Sequence, residues 1–121
     1  PEEMAEIFSY DPSYVFFSKV EGGPFGNIAV PLTPGRSIAT DSSLFPNGAL
    51  AFIQCQKPIF AQDGVIMGWT TGGRKAQNKD TGGAIRGPGR VDLFWGSGPL
   101  GRIAAGHLKH SGALYFLLIK E

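Results

Sequence analysis

The sequence has 121 residues, of which 42% are apolar and 17% are charged, and its formal net charge at pH 7 is +1. This length suits one domain with its own core and excludes two independent ones. The balanced charge excludes a strongly basic protein, so nucleic acid is not an expected partner. The 18 Gly and 9 Pro residues, spread between apolar runs, are typical of many short strands joined by turns and argue against a helical bundle.

The chain begins with a segment predicted to be helix or linker, residues 1–11, where Pro and Glu suit a first helical turn. From residue 12 onward, apolar runs alternate with turn residues, among them a predicted turn at Thr71-Gly72-Gly73. One later helix is predicted at residues 100–109. Seven strands at this spacing predict a closed barrel or a sandwich, and we place them at residues 13–18, 27–32, 36–40, 50–54, 65–70, 90–95 and 113–119.

The lone cysteine, Cys55, lies in an apolar run, so we expect a small core residue rather than a disulfide partner. The longest apolar run, residues 113–119, is much shorter than the roughly 20 residues that a membrane-spanning helix needs. The first residue is Pro rather than Met, and no signal peptide is recognisable. We therefore expect a processed product or an excised piece of a longer protein.

Three short motifs point to other functions, and their context argues against each. Residues 96–101 match a dinucleotide-binding fingerprint, but the chain shows no parallel unit of strand, helix and strand around them. Asp80-Thr81-Gly82 is the triplet of aspartic proteases, and a retroviral-type dimer is an alternative, although too little chain follows to complete a lobe. His107 and His110 can share one helix face, but no third ligand lies nearby in the sequence, so we expect no metal.

Three aspartates, Asp41, Asp80 and Asp92, occupy unusual settings at strand ends or within an apolar strand. Asp92 interrupts the apolar run 91–95, where an unpaired carboxylate is costly to bury, so it needs a partner or a chemical task. On residue types alone, the ordinary interpretation is a salt bridge from Asp92 to one of three arginines. The functional interpretation is an acid that apolar neighbours and a second carboxylate keep protonated. The candidate arginines are Arg36, Arg86 and Arg90.

Four ordered blocks of sequence resemble the membrane-bound lytic murein transglycosylase A family, in the region named for its three aspartates. The blocks are residues 11–17, 30–41, 80–87 and 91–98, and the similarity runs in order from about residue 12 to 120. The resemblance implies an all-β fold, a double-psi β-barrel with short peripheral helices, over residues 12–121. It also implies cleavage of the β-1,4 bond between N-acetylmuramic acid and N-acetylglucosamine in peptidoglycan, leaving a 1,6-anhydromuramoyl end.

By the same resemblance, Asp92 matches the catalytic acid and base, while Asp41 and Asp80 match the two supporting aspartates. One carboxyl group suffices for this reaction, so no cofactor and no metal are expected. We expect Arg86 and Arg90 to face away from Asp92, because a cation beside the carboxyl would remove its proton. The residues expected to contact the sugar are Gly82, Gly83 and Gly87, where the backbone can come close, and Trp95, which can stack on a sugar face.

The implied partners are peptidoglycan glycan strands and a second, groove-forming domain that this sequence does not contain. The implied location is the periplasm, with attachment to the outer membrane. One departure from the family is the basic and polar segment at residues 72–79, which stands where an apolar strand normally leads into Asp80. The alternative is a non-catalytic carbohydrate-binding or scaffolding barrel, and a direct arginine salt bridge to Asp92 would favour it.

Overall fold

The computed structural model describes residues 2–10, 12, 13 and 16–120. In this described part of the chain, two short helices and five strands follow one another, and all five strands join in one sheet with the order β4-β1-β3-β2-β5. The predominance of strands with short peripheral helices agrees with the sequence prediction. The elements are α1 (Glu2–Ser9), β1 (Ser37–Ala39), β2 (Leu50–Phe60), β3 (Ile66–Asp80), β4 (Asp92–Leu93), α2 (Pro99–His107) and β5 (Ala113–Phe116).

A long antiparallel hairpin of β2 and β3 forms the largest part of the sheet. Its turn is closed by two backbone hydrogen bonds, and Asp63 Oδ1 accepts a third from the Val65 amide at 3.1 Å. The predicted turn at Thr71-Gly72-Gly73 is wrong, because these residues continue β3 and pair with β2. A Cβ on Gly73 would collide with the Phe52 ring on the neighbouring strand. The aromatic ring therefore covers the glycine and keeps the strand continuous.

Of the seven predicted strands, the first two are not formed in the described part of the chain. Residues 13 and 16–18 are not in a strand, and residues 14 and 15 lie outside the described residues. Residues 27–32 form a loop, in which the Gly26 amide donates to the Val30 carbonyl at 3.1 Å and only an isolated bridge joins Phe25 to Pro31. A strand requires a neighbour with free backbone groups, and this loop instead contacts the end of β3 through side chains, with the Asn27 amide bonded to Asp80 Oδ1 and the Pro31 carbonyl bonded to Lys79 Nζ.

The core cluster consists of small and branched side chains on one face of the sheet, namely Ile38, Ala51, Ile53, Cys55 and Ala76. Val91 and Leu93, at one edge of the sheet, and Leu114 and Phe116, at the other edge, pack against this same cluster. The sheet is therefore curled, with both edges turned towards a common core. Within the described residues it does not close into a complete barrel. The prediction that Cys55 is a core residue is confirmed, since it is 9% exposed.

The two helices lie at the periphery. The predicted N-terminal helix and the predicted helix at residues 100–109 are both confirmed, with ends shifted by one or two residues. Neither has the length or the apolar character to cross a membrane, and the described residues contain no other helix that does. The strands β4 and β5 on either side of α2 are not neighbours in the sheet, so the segment 96–101 does not lie in a dinucleotide-binding unit.

We predict opposite effects for alanine at two glycines. A Cβ on Gly112, just before β5, would meet the carbonyl oxygen of Gln54, whereas a Cβ on Gly106 in α2 would meet nothing within 4 Å. Gly112→Ala should lower the free energy of unfolding by about 1–3 kcal/mol through overpacking. Gly106→Ala should raise it by about 0.5–1 kcal/mol, because alanine favours helix. Urea unfolding measures both, and equal effects of the two variants would contradict this account.

Candidate active site

The three aspartates meet around the carboxyl end of β1. Ala39 pairs with Asp80 of β3 on one side and with Asp92 of β4 on the other. Asp41 follows Ala39 by two residues. Since neighbouring strands lie roughly 4.8 Å apart, the Cα atoms of Asp80 and Asp92 are separated by about 10 Å. A central strand of three residues thus brings together carboxylates that are distant in sequence.

Asp80 and Asp92 project from the sheet face opposite the core cluster. Residues paired across a sheet point to the same face, and successive residues alternate. Ile38 and Leu93 are paired and both pack on the core side, so the next pair, Ala39 and Asp92, points the other way. Ala39 is also paired with Asp80, which places the two carboxylates on the same outer face.

Asp41 is the most tightly held of the three carboxylates and is 4% exposed. Oδ1 accepts hydrogen bonds from the Ser43 hydroxyl at 2.7 Å and the Ser43 amide at 3.0 Å, and Oδ2 accepts one from the Gly87 amide at 2.7 Å. The Arg86 guanidinium lies 3.7 Å from Oδ1. The Ser43 hydroxyl bond, followed by the two amide bonds, lowers the pKa of Asp41 to about 2. This carboxylate joins the turn after β1 to the loop before β4.

Asp80 lies at the end of β3 and is half-buried. Its Oδ1 accepts a hydrogen bond from the Asn27 amide at 3.0 Å, and its carbonyl accepts one from the Thr40 amide at 3.3 Å. The side chain therefore holds the loop of residues 25–32 against β3, next to the end of β1. Asp80 therefore joins the backbone of two other segments, the loop at Asn27 and the end of β1, to the end of β3.

Asp92 is more exposed than the other two and is paired with Arg90. Arg90 Nε donates to Oδ1 at 3.0 Å and Arg90 Nη2 donates to Oδ2 at 3.1 Å, while Nη1 donates to the Ala84 carbonyl at 2.8 Å. Hydrogen bonds to Asp92 raise the pKa of Arg90. The expectation that Arg90 faces away from Asp92 is therefore wrong. Two residues apart along an extended strand, the side chains share a face, and the guanidinium fork matches the carboxylate.

The glycines expected to contact sugar have different surroundings. Gly87 has a positive φ of 80°, which favours glycine, and its amide is committed to Asp41 Oδ2. Gly82 accepts a hydrogen bond from the Ile85 amide at 3.0 Å and lies against the Ile85 side chain. Gly83 is exposed, with open space where a side chain would stand. Gly83 and Gly87 both have nothing within 4 Å of the place where a side chain would stand, and Gly83 is the more exposed of the two.

Trp95 lies away from Asp92, on the side of the sheet that carries the core. The Arg74 guanidinium carbon lies 5.5 Å from the centre of the Trp95 ring. Arg74 pairs with the buried Ile53, so it belongs to the core face. The indole N–H of Trp95 is buried and has no hydrogen-bond partner among the described residues. The structure therefore places Trp95 beside Arg74 and not among the three aspartates.

Two polar residues support the site without having been predicted from the sequence. Ser43 supplies two of the hydrogen bonds to Asp41, and the spacing of Asp41 and Ser43 is the recognisable signal of an Asx turn. Asn78 is fully buried, and its Nδ2 donates to the Pro46 carbonyl at 3.0 Å; no local pattern indicates this contact. The described residues contain no cluster of three or more potential metal ligands from His, Cys, Asp and Glu.

Comparisons with known proteins agree with the resemblance drawn from the sequence blocks. Residues 36–118 match the family model described as 3D domain. The chain is 35% identical over 115 residues to the membrane-bound lytic murein transglycosylase A of Vibrio cholerae, a match that covers 94% of this chain and 30% of the relative. The chain thus spans about a third of the proteins it matches.

Solved structures agree in fold. The crystal structure of MltA from Neisseria gonorrhoeae superimposes with a TM-score of 0.79 at 33% identity, covering 98% of this chain and 28% of that one. MltA from E. coli with bound chitohexaose superimposes with a TM-score of 0.71 at 30% identity, covering 95% of this chain and 34% of that one. The family resemblance and the mostly β architecture are confirmed.

We predict that the contribution of Asp41 to stability depends on pH. Its folded pKa of about 2 lies below the ordinary value of 3.8, so its stabilising effect is complete above about pH 4 and is lost as the pH falls towards 2. Asp41→Asn should therefore lower the free energy of unfolding most at neutral pH, and the deficit should shrink between pH 4 and pH 2. Urea unfolding across this range measures it, with Asp63→Asn in the hairpin turn as the control. A deficit independent of pH would contradict the prediction.

Proposed function

We propose that this chain, which belongs to the 3D domain family, is part of a lytic transglycosylase that cleaves peptidoglycan. The bond broken is the β-1,4 bond between N-acetylmuramic acid and N-acetylglucosamine, and the product carries a 1,6-anhydromuramoyl end. The observation that carries this proposal is the grouping of Asp41, Asp80 and Asp92 around the end of β1. The names of the relatives support it, since they are lytic murein transglycosylases.

In the proposed reaction, Asp92 acts as a general acid and then as a general base. Its protonated carboxyl donates to the glycosidic oxygen while the bond to C1 breaks through an oxocarbenium-like state. The resulting carboxylate accepts the proton of the C6 hydroxyl of the same muramic acid, whose oxygen forms the new bond to C1. Because the nucleophile is tethered, orientation contributes up to about 7–11 kcal/mol. Protons and electron pairs balance without a cofactor.

Asp41 and Asp80 support this reaction through the backbone. Asp41 holds the loop at Gly87, and Asp80 holds the loop at Asn27, so both shape the surroundings of Asp92. We propose that Gly82, Gly83 and Gly87 line the approach of the sugar, and that Trp95 stacks on the glycan only where another domain extends the groove. The proposal also includes that second domain and a double-psi topology for the barrel. It places the protein in the periplasm, attached to the outer membrane.

The ion pair between Arg90 and Asp92 favours the alternative, a non-catalytic carbohydrate-binding or scaffolding barrel. Arg90 is bonded to both carboxylate oxygens of Asp92, whereas a general acid needs one of them free to reach the glycosidic oxygen. Both side chains are about half exposed, at 49% and 47%, and ion pairs that water reaches this freely contribute little to stability. Glycan binding can therefore displace Arg90 at small cost, and the proposed enzyme requires this displacement.

Substitution of Asp92 distinguishes the proposed enzyme from the non-catalytic barrel. In the complete enzyme, Asp92→Asn should reduce the release of anhydro ends by about 10²–10⁴-fold while leaving folding and glycan binding nearly unchanged, because the amide cannot donate and recover the proton. Mass spectrometry of digested murein sacculi measures the product, and Asp63→Asn is the control. Arg90→Gln should retain activity. If Asp92→Asn stays within a few-fold of the parent, the barrel does not use Asp92 as its acid.

We predict that this chain alone cuts peptidoglycan much more slowly than the complete enzyme. A glycan strand needs two walls of a groove to place its C6 hydroxyl against C1, and the loss of that positioning removes a large part of the rate. In the chain alone, Asp92 is open to water and both of its carboxylate oxygens are bonded to Arg90, so neither is free to reach the glycosidic oxygen. Parallel digestion of purified sacculi measures both rates, and comparable release of anhydro ends would show that the barrel is sufficient.

A further inference from the structure

A cavity of about 430 Å³ lies beside the aspartates, where β1, β2 and β3 meet, and its charged side chains are all basic. Arg36 lies directly before β1, and Lys75 and Lys79 come from β3. The neutral polar residues Thr33 and Gln77 complete the polar wall of the cavity. Among the residues that the structure describes, no Asp or Glu lines it. Three like charges around one cavity repel each other unless an anion lies between them.

Two of these cations are held in place by backbone carbonyls. Arg36 Nη1 donates to the Lys75 carbonyl at 3.0 Å, and Lys79 Nζ donates to the Pro31 carbonyl at 3.0 Å. These bonds use one of the five N–H groups of the guanidinium and one of the three of the ammonium group. Within the described residues, none of the three cations forms a salt bridge. Donors are therefore oriented and still available to a ligand.

The cavity lies on the same sheet face as the aspartates. Ala76 is buried in the core cluster, so its neighbours Lys75 and Gln77 point to the outer face. The pairing of β1 with β3 shifts by one residue between Ile38 and Ala39, and the extra residue on β3 is Lys79. This bulge inserts a cation directly before Asp80. The basic segment that departs from the family pattern therefore forms a wall adjoining the candidate active site.

We propose that this cavity binds carboxylate groups of the peptide stems that peptidoglycan carries on its muramic acid residues. The inference rests on the proposed function, because it takes peptidoglycan as the substrate. The sugar rings offer neutral hydroxyl and acetamide groups, and the sugar's own carboxylate, on the lactyl group of muramic acid, is free only where the peptide has been removed. The stems themselves offer carboxylates. An arginine and two lysines suit such groups through charge-assisted hydrogen bonds. The site gives the enzyme a preference for glycan that still carries its peptides.

Binding is tested on the chain itself by ¹H–¹⁵N NMR, which detects weak complexes. The ligands are a disaccharide–tetrapeptide from peptidoglycan, the same disaccharide after removal of the peptide, and neutral chitohexaose. We expect the first ligand to shift the amides of Lys75 and Lys79 and to bind more tightly than the other two. The double variant Lys75→Gln, Lys79→Gln should weaken this binding by about five- to twentyfold. Raised salt should weaken it as well.

Lys57→Gln is the matched control, since Lys57 is an exposed lysine on β2 that does not line the cavity, and it should leave binding unchanged. Equal binding of peptide-bearing and peptide-free disaccharide would overturn the proposal in favour of the sugar's own carboxylate. An equal loss of chitohexaose binding in the double variant would also overturn it, as would the absence of any shift at these amides. Far-UV circular dichroism shows that each variant is folded.

Failure of this inference is distinguishable from failure of the proposed function. The NMR experiment measures binding and needs no cleavage, while the release of anhydro ends by the complete enzyme measures the reaction. If the chain binds the peptide-bearing ligand selectively but the complete enzyme releases no anhydro ends, the stem-binding cavity is supported and the catalytic proposal is wrong. If the complete enzyme releases anhydro ends but the chain shows no such selectivity, the catalytic proposal is supported and the cavity is not a stem-binding site.

Discussion

The candidate site depends on one short strand that is hydrogen-bonded on both sides. β1 has three residues, yet it runs parallel to β3 and antiparallel to β4. Its side chains are all buried, so the strand is fixed by packing as well as by pairing. Because each neighbour contributes its aspartate opposite Ala39, the position of this strand determines how far apart the two carboxylates lie.

Around this strand, the three aspartates have different physical tasks. Asp41 is buried and saturated with donors, which keeps it charged and makes it a structural junction between two loops. Asp80 uses one oxygen to hold a loop. Only Asp92 is exposed and paired with a side chain that can move away. Asp92 is thus the aspartate whose carboxyl remains available for chemistry. It is also the one whose position in the sequence, within an apolar strand, first indicated a chemical role.

Local sequence patterns correctly predicted those parts of the fold that depend on the residues of a single element. Both helices and the core position of Cys55 follow from composition and apolar runs. The errors arise from contacts between distant residues. Thr71-Gly72-Gly73 has the composition of a turn, but the Phe52 ring on the paired strand covers Gly73. Residues 27–32 have strand composition, but their backbone bonds lie within a loop that Asp80 holds.

The candidate site, like the fold, could be predicted from the sequence only in part. The identities of the three aspartates follow from the sequence blocks, but the pairing of Arg90 with Asp92 depends on side-chain orientation, and several arginines were available. The cavity beside Asp80 was visible only as a departure from the family pattern at residues 72–79. The cavity could be interpreted only from the pairing register of β1 and β3, because a one-residue shift decides which side chains share a face.

The hairpin of β2 and β3 extends well beyond its neighbours in the sheet. β5 pairs with β2 only at residues 51–54, and β1 pairs with β3 only at residues 77–80. The remaining length, up to the turn at Asp63, is a two-stranded ribbon, an arrangement that is marginally stable by itself in water. Beyond these pairings, α2 and the segment after it cover the ribbon, since the Trp69 and His110 ring centres lie 4.3 Å apart and Leu100 lies beside Gly64. The far part of the hairpin therefore depends on side-chain packing, whereas beside the aspartates β3 is hydrogen-bonded to a strand on each side.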